Sequence, residues 1–161
     1  MTNPPIEIPV EPDAFRVCAD ASVLACELHG ALAVCLYDDT QGVGGLLHLR
    51  YVARADGVPL DVTDNTLSSD LLLMDRFCKE LRSIGARKQS WRVTILANTP
   101  KDSGLQDAAA TVLDLVKAYF ADSRLPVECK EYDRAATMIV RFDSREGRIW
   151  ATSKQSAPAV A

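Results

Sequence analysis

A chain of 161 residues, 48% apolar and 25% charged, has the length of one domain and the composition of a globular protein with a substantial core. No apolar run approaches the roughly 18 residues of a membrane span. The net charge of −4 argues against a nucleic-acid surface. The charge is uneven: residues 1–80 carry 5 basic and 13 acidic side chains, and residues 81–161 carry 13 basic and 9 acidic. Such a dipole either orients a protein partner or is an ordinary solvated surface.

Residues 1–13, with four prolines and no basic residue, read as a disordered or extended lead and not as a signal peptide. A single domain is expected over 14–151, followed by a flexible tail over 152–161. Period-2 patterns predict strands near 14–18, 22–28, 31–37 and 45–52. His29-Gly30 lies between two apolar runs and reads as a short turn. If it closes a hairpin, Leu28 faces Ala31 and Cys26 faces Ala33. Residues 53–65 carry Gly, Pro and several Asp, the composition of a surface loop.

A helix is predicted over 66–84, because Leu67, Leu71, Met74, Cys78 and Leu81 recur at steps of four, three, four and three and so form one stripe. Asn65 or Thr66 suits its cap, Arg82 its last turn, and Gly85 the left-handed residue beyond it. A strand follows at 91–97. Ser103 and Gln106 have the spacing of a capping box, opening a helix to about Ala121 that buries Val112, Leu113, Val116, Tyr119 and Phe120. Strands near 126–132, 136–142 and 147–152 complete the chain, the last two joined by Ser144–Gly147 as a hairpin. Runs of strands at both ends favour α+β layering over a parallel sheet.

Five cysteines (Cys18, Cys26, Cys35, Cys78 and Cys129) form no CxxC pair and stand near no histidine at ligand spacing. They read as reduced thiols of a cytoplasmic protein, most of them in the core. No metal and no cofactor is expected.

The segment Ala31–His48 carries the strongest signal. An apolar strand, Val34-Cys35-Leu36-Tyr37-Asp38, leads to an acidic turn, a Gly44-Gly45 pair and a second strand with His48 inside it. In this it resembles the CheD family of chemoreceptor glutamine deamidases, whose signature is Gly-Ser-Cys before a Val-x-Val-Cys-Leu-Tyr-Asp strand, then Gly-Gly and a histidine. The resemblance runs from about Ala14 to Trp150 and includes the Ser83–Ala86 helix end and the Arg141–Ile149 hairpin. It implies a layered α/β/β sandwich with mixed, largely antiparallel sheets and two main helices.

The same resemblance puts the family's histidine at His48 and its nucleophilic cysteine at Ala31. His29 and Gly30 replace the small residues beside it, and Ala25 falls where the family carries an assisting threonine. Further departures fall at Arg92–Leu96, in place of Lys-x-x-Gly-Gly, and around Tyr132–Ala135, in place of Gly-Gly-x-x-x-Arg. The family's chemistry is thiolate attack on a glutamine carboxamide with histidine as the proton carrier. A methyl group forms no thioester, and deleting such a nucleophile costs on the order of 10⁶ in kcat.

Each candidate has two readings. His48 is the retained base of a former dyad or a hydrogen-bonded core histidine. Cys26 is a relocated nucleophile or a core thiol sharing one strand face with Leu24 and Leu28. His29 is a new binding group or an exposed turn residue. Asp38-Asp39 points its side chains to opposite faces of a strand and reads as a turn rather than a metal pair. The resemblance implies docking on chemoreceptor cytoplasmic domains or on a CheC-like phosphatase. The expected function is an inactive interaction or regulatory module, the alternative an active protein-glutamine deamidase using His48 with Cys26.

Overall fold

Side-chain alternation sorts the apolar residues of this chain into two separate layers. The computed structural model describes residues 6–20, 22–52, 65–85, 90–121 and 125–154; the loop expected over 53–65 lies almost wholly outside them. In chain order the elements are β1 (Glu7–Pro9), β2 (Ala14–Cys18), β3 (Val23–Leu28), β4 (Ala31–Asp38), β5 (Val43–Arg50), α1 (Asn65–Ser83), β6 (Trp91–Asn98), α2 (Gln106–Ala121), β7 (Val127–Tyr132), β8 (Met138–Asp143) and β9 (Arg148–Ser153).

Two mixed sheets result, ordered β1-β3-β8-β9 and β2-β5-β4-β6-β7. Among the described residues only β1–β3 and β6–β7 pair in parallel, and the second of these is made through α2, as a parallel crossover requires. The fold is therefore the α+β sandwich that the sequence and the resemblance lead one to expect.

Leu32, Val34 and Leu36 of β4, with Leu47 and Leu49 of β5, face the helices, where Met74, Phe77 and Leu81 of α1 and Val112, Val116 and Phe120 of α2 meet them. Ala31, Ala33 and Cys35 point the other way and pack with Leu46 and Leu96 against Leu24, Cys26, Leu28, Val140 and Phe142 of the four-stranded sheet. Strand β4 is thus buried on both faces, which is why it reads as an unbroken apolar run.

The glycine pair permits this two-sided packing. A Cβ on Gly44 would stand 2.7 Å from the Leu36 carbonyl and 3.1 Å from the Phe142 ring. On Gly45 it would stand 2.7 Å from Phe77 and 2.8 Å from the Arg16 carbonyl. Rings from opposite layers press on adjacent glycines.

Two sequence expectations are corrected. His29-Gly30 does not close a hairpin: β3 pairs with β8, and β4 with β5 and β6. The chain steps from one sheet to the other at Gly30 (φ 69), so Cys26 and Ala33 lie in opposite sheets. An arch between sheets and a hairpin within one have the same period-2 signature. The Ser103–Gln106 capping box also does not form. Ser103 donates to the Pro100 carbonyl at 2.7 Å, while the Gln106 amide reaches the Pro100 and Lys101 carbonyls. The extended lead itself carries β1, where Ile6, Ile8 and Val10 alternate with Glu7, Pro9 and Glu11.

Candidate functional site

His48 lies on β5 and is 3% exposed. Alternation along β5 places it on the face shared with Leu46, turned toward the four-stranded sheet. Ala33 of β4 stands directly opposite it and Ala31 one pair further, opposite Arg50. Ala31 and His48 are therefore diagonal neighbours on one sheet face, a relation that sets two residues about 7 Å apart. Ala31 is 2% exposed and its methyl packs in the inter-sheet core.

The segment Val10–Asp13 forms a strap between β1 of one sheet and β2 of the other. The Val10 amide donates to the Ala25 carbonyl at 2.7 Å, and the His48 ring bonds the Val10 carbonyl through Nδ1 at 3.0 Å. A carbonyl only accepts, so Nδ1 carries the proton. In the neutral ring Nε2 then holds the free lone pair, the form a general base needs. Burial pushes the His48 pKa below its usual value, more than the Val10 bond and the nearby Asp13 and Glu11 raise it, so the ring is neutral at pH 7.

The strap ends at Asp13, whose φ of 58 lies in the left-handed region that Asp tolerates better than most residues. Its amide donates to the His48 carbonyl at 2.8 Å. Its carboxylate accepts from the Arg50 amide at 3.1 Å and from Arg50 Nη2 at 3.3 Å.

A cavity of about 480 Å³ opens beside the ring, lined by His48, Cys26, Ala25, Val10, Glu27 and Arg141 among others. Arg141 pairs with Glu7 at 3.3 Å on its rim, and Glu27 with Lys154 at 2.7 Å. The structure thus brings His48 and Cys26 to one cavity, from opposite sheets. Cys26 is 5% exposed, and burial, aided by the charge of Glu27, pushes its thiol up to about 12. Arg141 of the same cavity is taken up by Glu7 and the charge acting on the thiol is that of Glu27, the opposite of the setting that activates a cysteine.

Other candidates fall elsewhere. His29 is exposed at the arch. The Asp38 carboxylate is buried and accepts from Thr40 and Gln41 in a tight turn. Among the described residues, no group of three or more His, Cys, Asp or Glu could hold a metal ion, and no helix is long and apolar enough to cross a membrane. The residues that sequence reasoning missed are Val10, Asp13 and Arg50, which fix the ring. The alternation Ile6-Ile8-Val10 was the available sign that this segment is a strand and not a free lead.

No protein-family model matches the sequence. Curated relatives do. A probable chemoreceptor glutamine deamidase CheD 1 of Ruegeria sp. (strain TM1040) is 23% identical over 83% of this chain and 69% of its own. Probable chemoreceptor glutamine deamidases CheD of Caulobacter vibrioides (strain NA1000 / CB15N) and Caulobacter sp. (strain K31) are 22% and 24% identical over 89% and 92% of this chain and 76% and 78% of their own. The likeness covers 83–92% of the chain, which takes in the Val34–Asp38 strand, the Gly44-Gly45 pair and His48: the chain is similar to the CheD proteins over most of its length.

Proposed function

We propose that this protein serves chemotaxis as a CheD-like interaction module, docking on chemoreceptor cytoplasmic domains or on a CheC-like phosphatase in the cytoplasm without deamidating them. The relatives' names supply the chemotaxis context. The observation that carries the loss of chemistry is a buried methyl group, that of Ala31, diagonal to His48 on one sheet face. By the resemblance this is the nucleophile's place. The imidazole, its tautomer and its cavity remain, but no thiolate stands beside them.

The test uses the purified chain with a glutamine-bearing chemoreceptor cytoplasmic fragment. Calorimetric binding with ammonia release at the level of a His48→Ala control is the expected result. Absence of any binding to receptor fragments and chemotaxis proteins overturns the docking role. Ammonia release above that control overturns the inactivity.

A second reading has one observation in its favour: Cys26 lines the same cavity as His48. In it, Cys26 attacks the carboxamide carbon after His48 Nε2 takes its proton, and the imidazolium returns the proton to the leaving ammonia. A thiol held near 12 by burial weighs against this, because the thiolate is the attacking form.

A further inference from the structure

The strap over His48 is held from outside the site as well as within it. On the helix side of the sheet, Asp70 of α1 is 5% exposed, and its Oδ2 is buried with no hydrogen-bond partner among the described residues. A buried carboxylate oxygen without a donor is costly when ionised and much less so when protonated. A cavity of about 420 Å³ joins Asp70 to Asp13 at the end of the strap and to Arg50 of β5, with Ser69 and Arg76 of α1 along its wall. Strand β2 presents Phe15 and Val17 to this layer, neither of which titrates.

We propose that Asp70 and Asp13 form a carboxyl pair, communicating through Arg50, that keeps the Val10–Asp13 strap closed over His48 while Asp70 is protonated and loosens it when Asp70 ionises. Two physical steps carry this. With Asp70 neutral, Arg50 has one anionic partner among the described residues, Asp13, and its amide and guanidinium hold that carboxylate at both oxygens. With Asp70 ionised, the exposed carboxylate of Asp13 faces the negative charge of a buried one, and Arg50, which lines the same cavity, has two carboxylates competing for it. Either effect weakens the clamp that holds Asp13 in its left-handed conformation. The strap carries Val10, and Val10 carries the bond to the imidazole. Burial first, and the charge of Asp13 second, hold the Asp70 carboxyl up at about 6, which puts the change in the physiological range.

In consequence the accessibility of the His48 cavity follows the protonation of a residue on the opposite face of the sheet. The value of this for partner docking rests on the function proposed above. The strap motion does not, and the experiment reads it without a partner.

The test is amide hydrogen exchange by NMR at pH 5 and pH 7.5, expressed as protection factors for Val10 and Asp13, with the His48 ring titrated in the same samples. In the wild type the protection of these two amides, relative to the global value, falls by roughly tenfold across the interval, the equivalent of one pKa unit of coupling. Asp70→Asn, a neutral isostere, keeps high protection at both pH values. Asp13→Asn, which weakens the clamp itself, shows low protection at both. Protection in the wild type that does not change with pH overturns the proposal. So does a step of unchanged size in Asp70→Asn, which would assign the motion to His48 titration.

Discussion

The Nδ1 nitrogen of His48 and the carbonyl oxygen of Val10 stand 3.0 Å apart, and this one hydrogen bond decides what the imidazole can do. It fixes the tautomer, aims the ring, and ties the five-stranded sheet to a strap that begins in the other sheet. A neutral imidazole with its lone pair on Nε2 therefore stands diagonal to the Ala31 methyl.

That geometry makes Ala31→Cys informative. The new thiol would project from the same sheet face as His48, diagonal to it. Transfer of its proton to Nε2 would give a thiolate–imidazolium pair, the usual way such thiols are activated. Residue 31 is 2% exposed and Cys26 5%, so both wait on opening of the fold. Alkylation of the new thiol by iodoacetamide at pH 7, followed by intact mass, is expected to run at least about tenfold faster than that of the comparably buried Cys26, since one pKa unit is worth a factor near ten in thiolate. Adding His48→Ala should remove the advantage. Equal rates in the single and double variants would mean that the ring and residue 31 no longer communicate.

Cys26 gives the complementary expectation. With its pKa pushed up to about 12, the thiolate fraction at pH 7 is on the order of 10⁻⁵, and the side chain is 5% exposed. Native-state alkylation of Cys26 should proceed only through opening of the fold, with a rate that rises on adding urea below the unfolding transition. Cys26→Ala should leave ammonia release unchanged while costing about 1–2 kcal/mol of stability through the small void it leaves. A Cys26 labelled within minutes in the folded protein would contradict the burial that underlies this.

The legibility of the chain divides along physical lines. Helix α1 was readable because Leu67, Met74, Cys78 and Leu81 mark a 3.6-residue period that nothing else mimics. Strands β4 and β5 were readable from length and composition. What failed were relations between elements. The apolar runs at Val23–Leu28 and Ala31–Asp38 say that both are strands, and do not say whether His29-Gly30 folds β4 beside β3 or carries it into another sheet. The strap lies in a segment read only as disordered or extended, on its prolines, and an edge strand tolerates proline where no ladder donor is needed. Asp70 looked like one more polar residue of a helix, and its burial comes from the sheet end that packs on it.

Asp70 should also leave a mark on stability. Its folded-state pKa, about 6, lies above the unfolded value near 3.9, so the folded protein binds more protons between those values. Stability is then full below about pH 4 and declines as pH rises through about 6. Two pKa units correspond to nearly 3 kcal/mol, and relaxation around the ionised group should leave about 2 kcal/mol. Asp70→Asn is expected to match the wild type in urea at pH 4 and to exceed it by about 1–2 kcal/mol at pH 7.5. An equal difference at both pH values would point to packing and not to charge.

His48 works in the opposite sense. Its pKa is depressed by burial, so the unfolded chain binds the proton more readily, and stability is lost as pH falls below about 6.5. In an Asp70→Asn background, where the other slope is gone, this acid-side loss should stand alone. Adding His48→Gln should flatten it while costing roughly 1–3 kcal/mol at pH 8, where the Val10 carbonyl loses its ring donor. Urea unfolding midpoints at pH 5.5 and 8 for the two backgrounds measure both numbers. A slope that survives the glutamine substitution would show that the imidazole is not the titrating group.

Gly45 offers a test of the two-sided packing that frames the site. A methyl there meets the Phe77 ring at 2.7 Å on one side and the Arg16 carbonyl at 2.8 Å. The ring can shift but the carbonyl belongs to the neighbouring strand, paired with β5 through Arg16–Leu46 and Val17–Gly45. Relief therefore requires moving β2 away from β5, which would pull on the Asp13 and His48 bonds at the far end of the same ladder. Gly45→Ala is expected to cost about 2–3 kcal/mol, the upper range for overpacking, and to lower the protection of the Asp13 amide. Adding Phe77→Leu should recover only part of the loss, since it frees space on one side alone. Full recovery would mean that the ring, and not the strand spacing, sets the limit at this position.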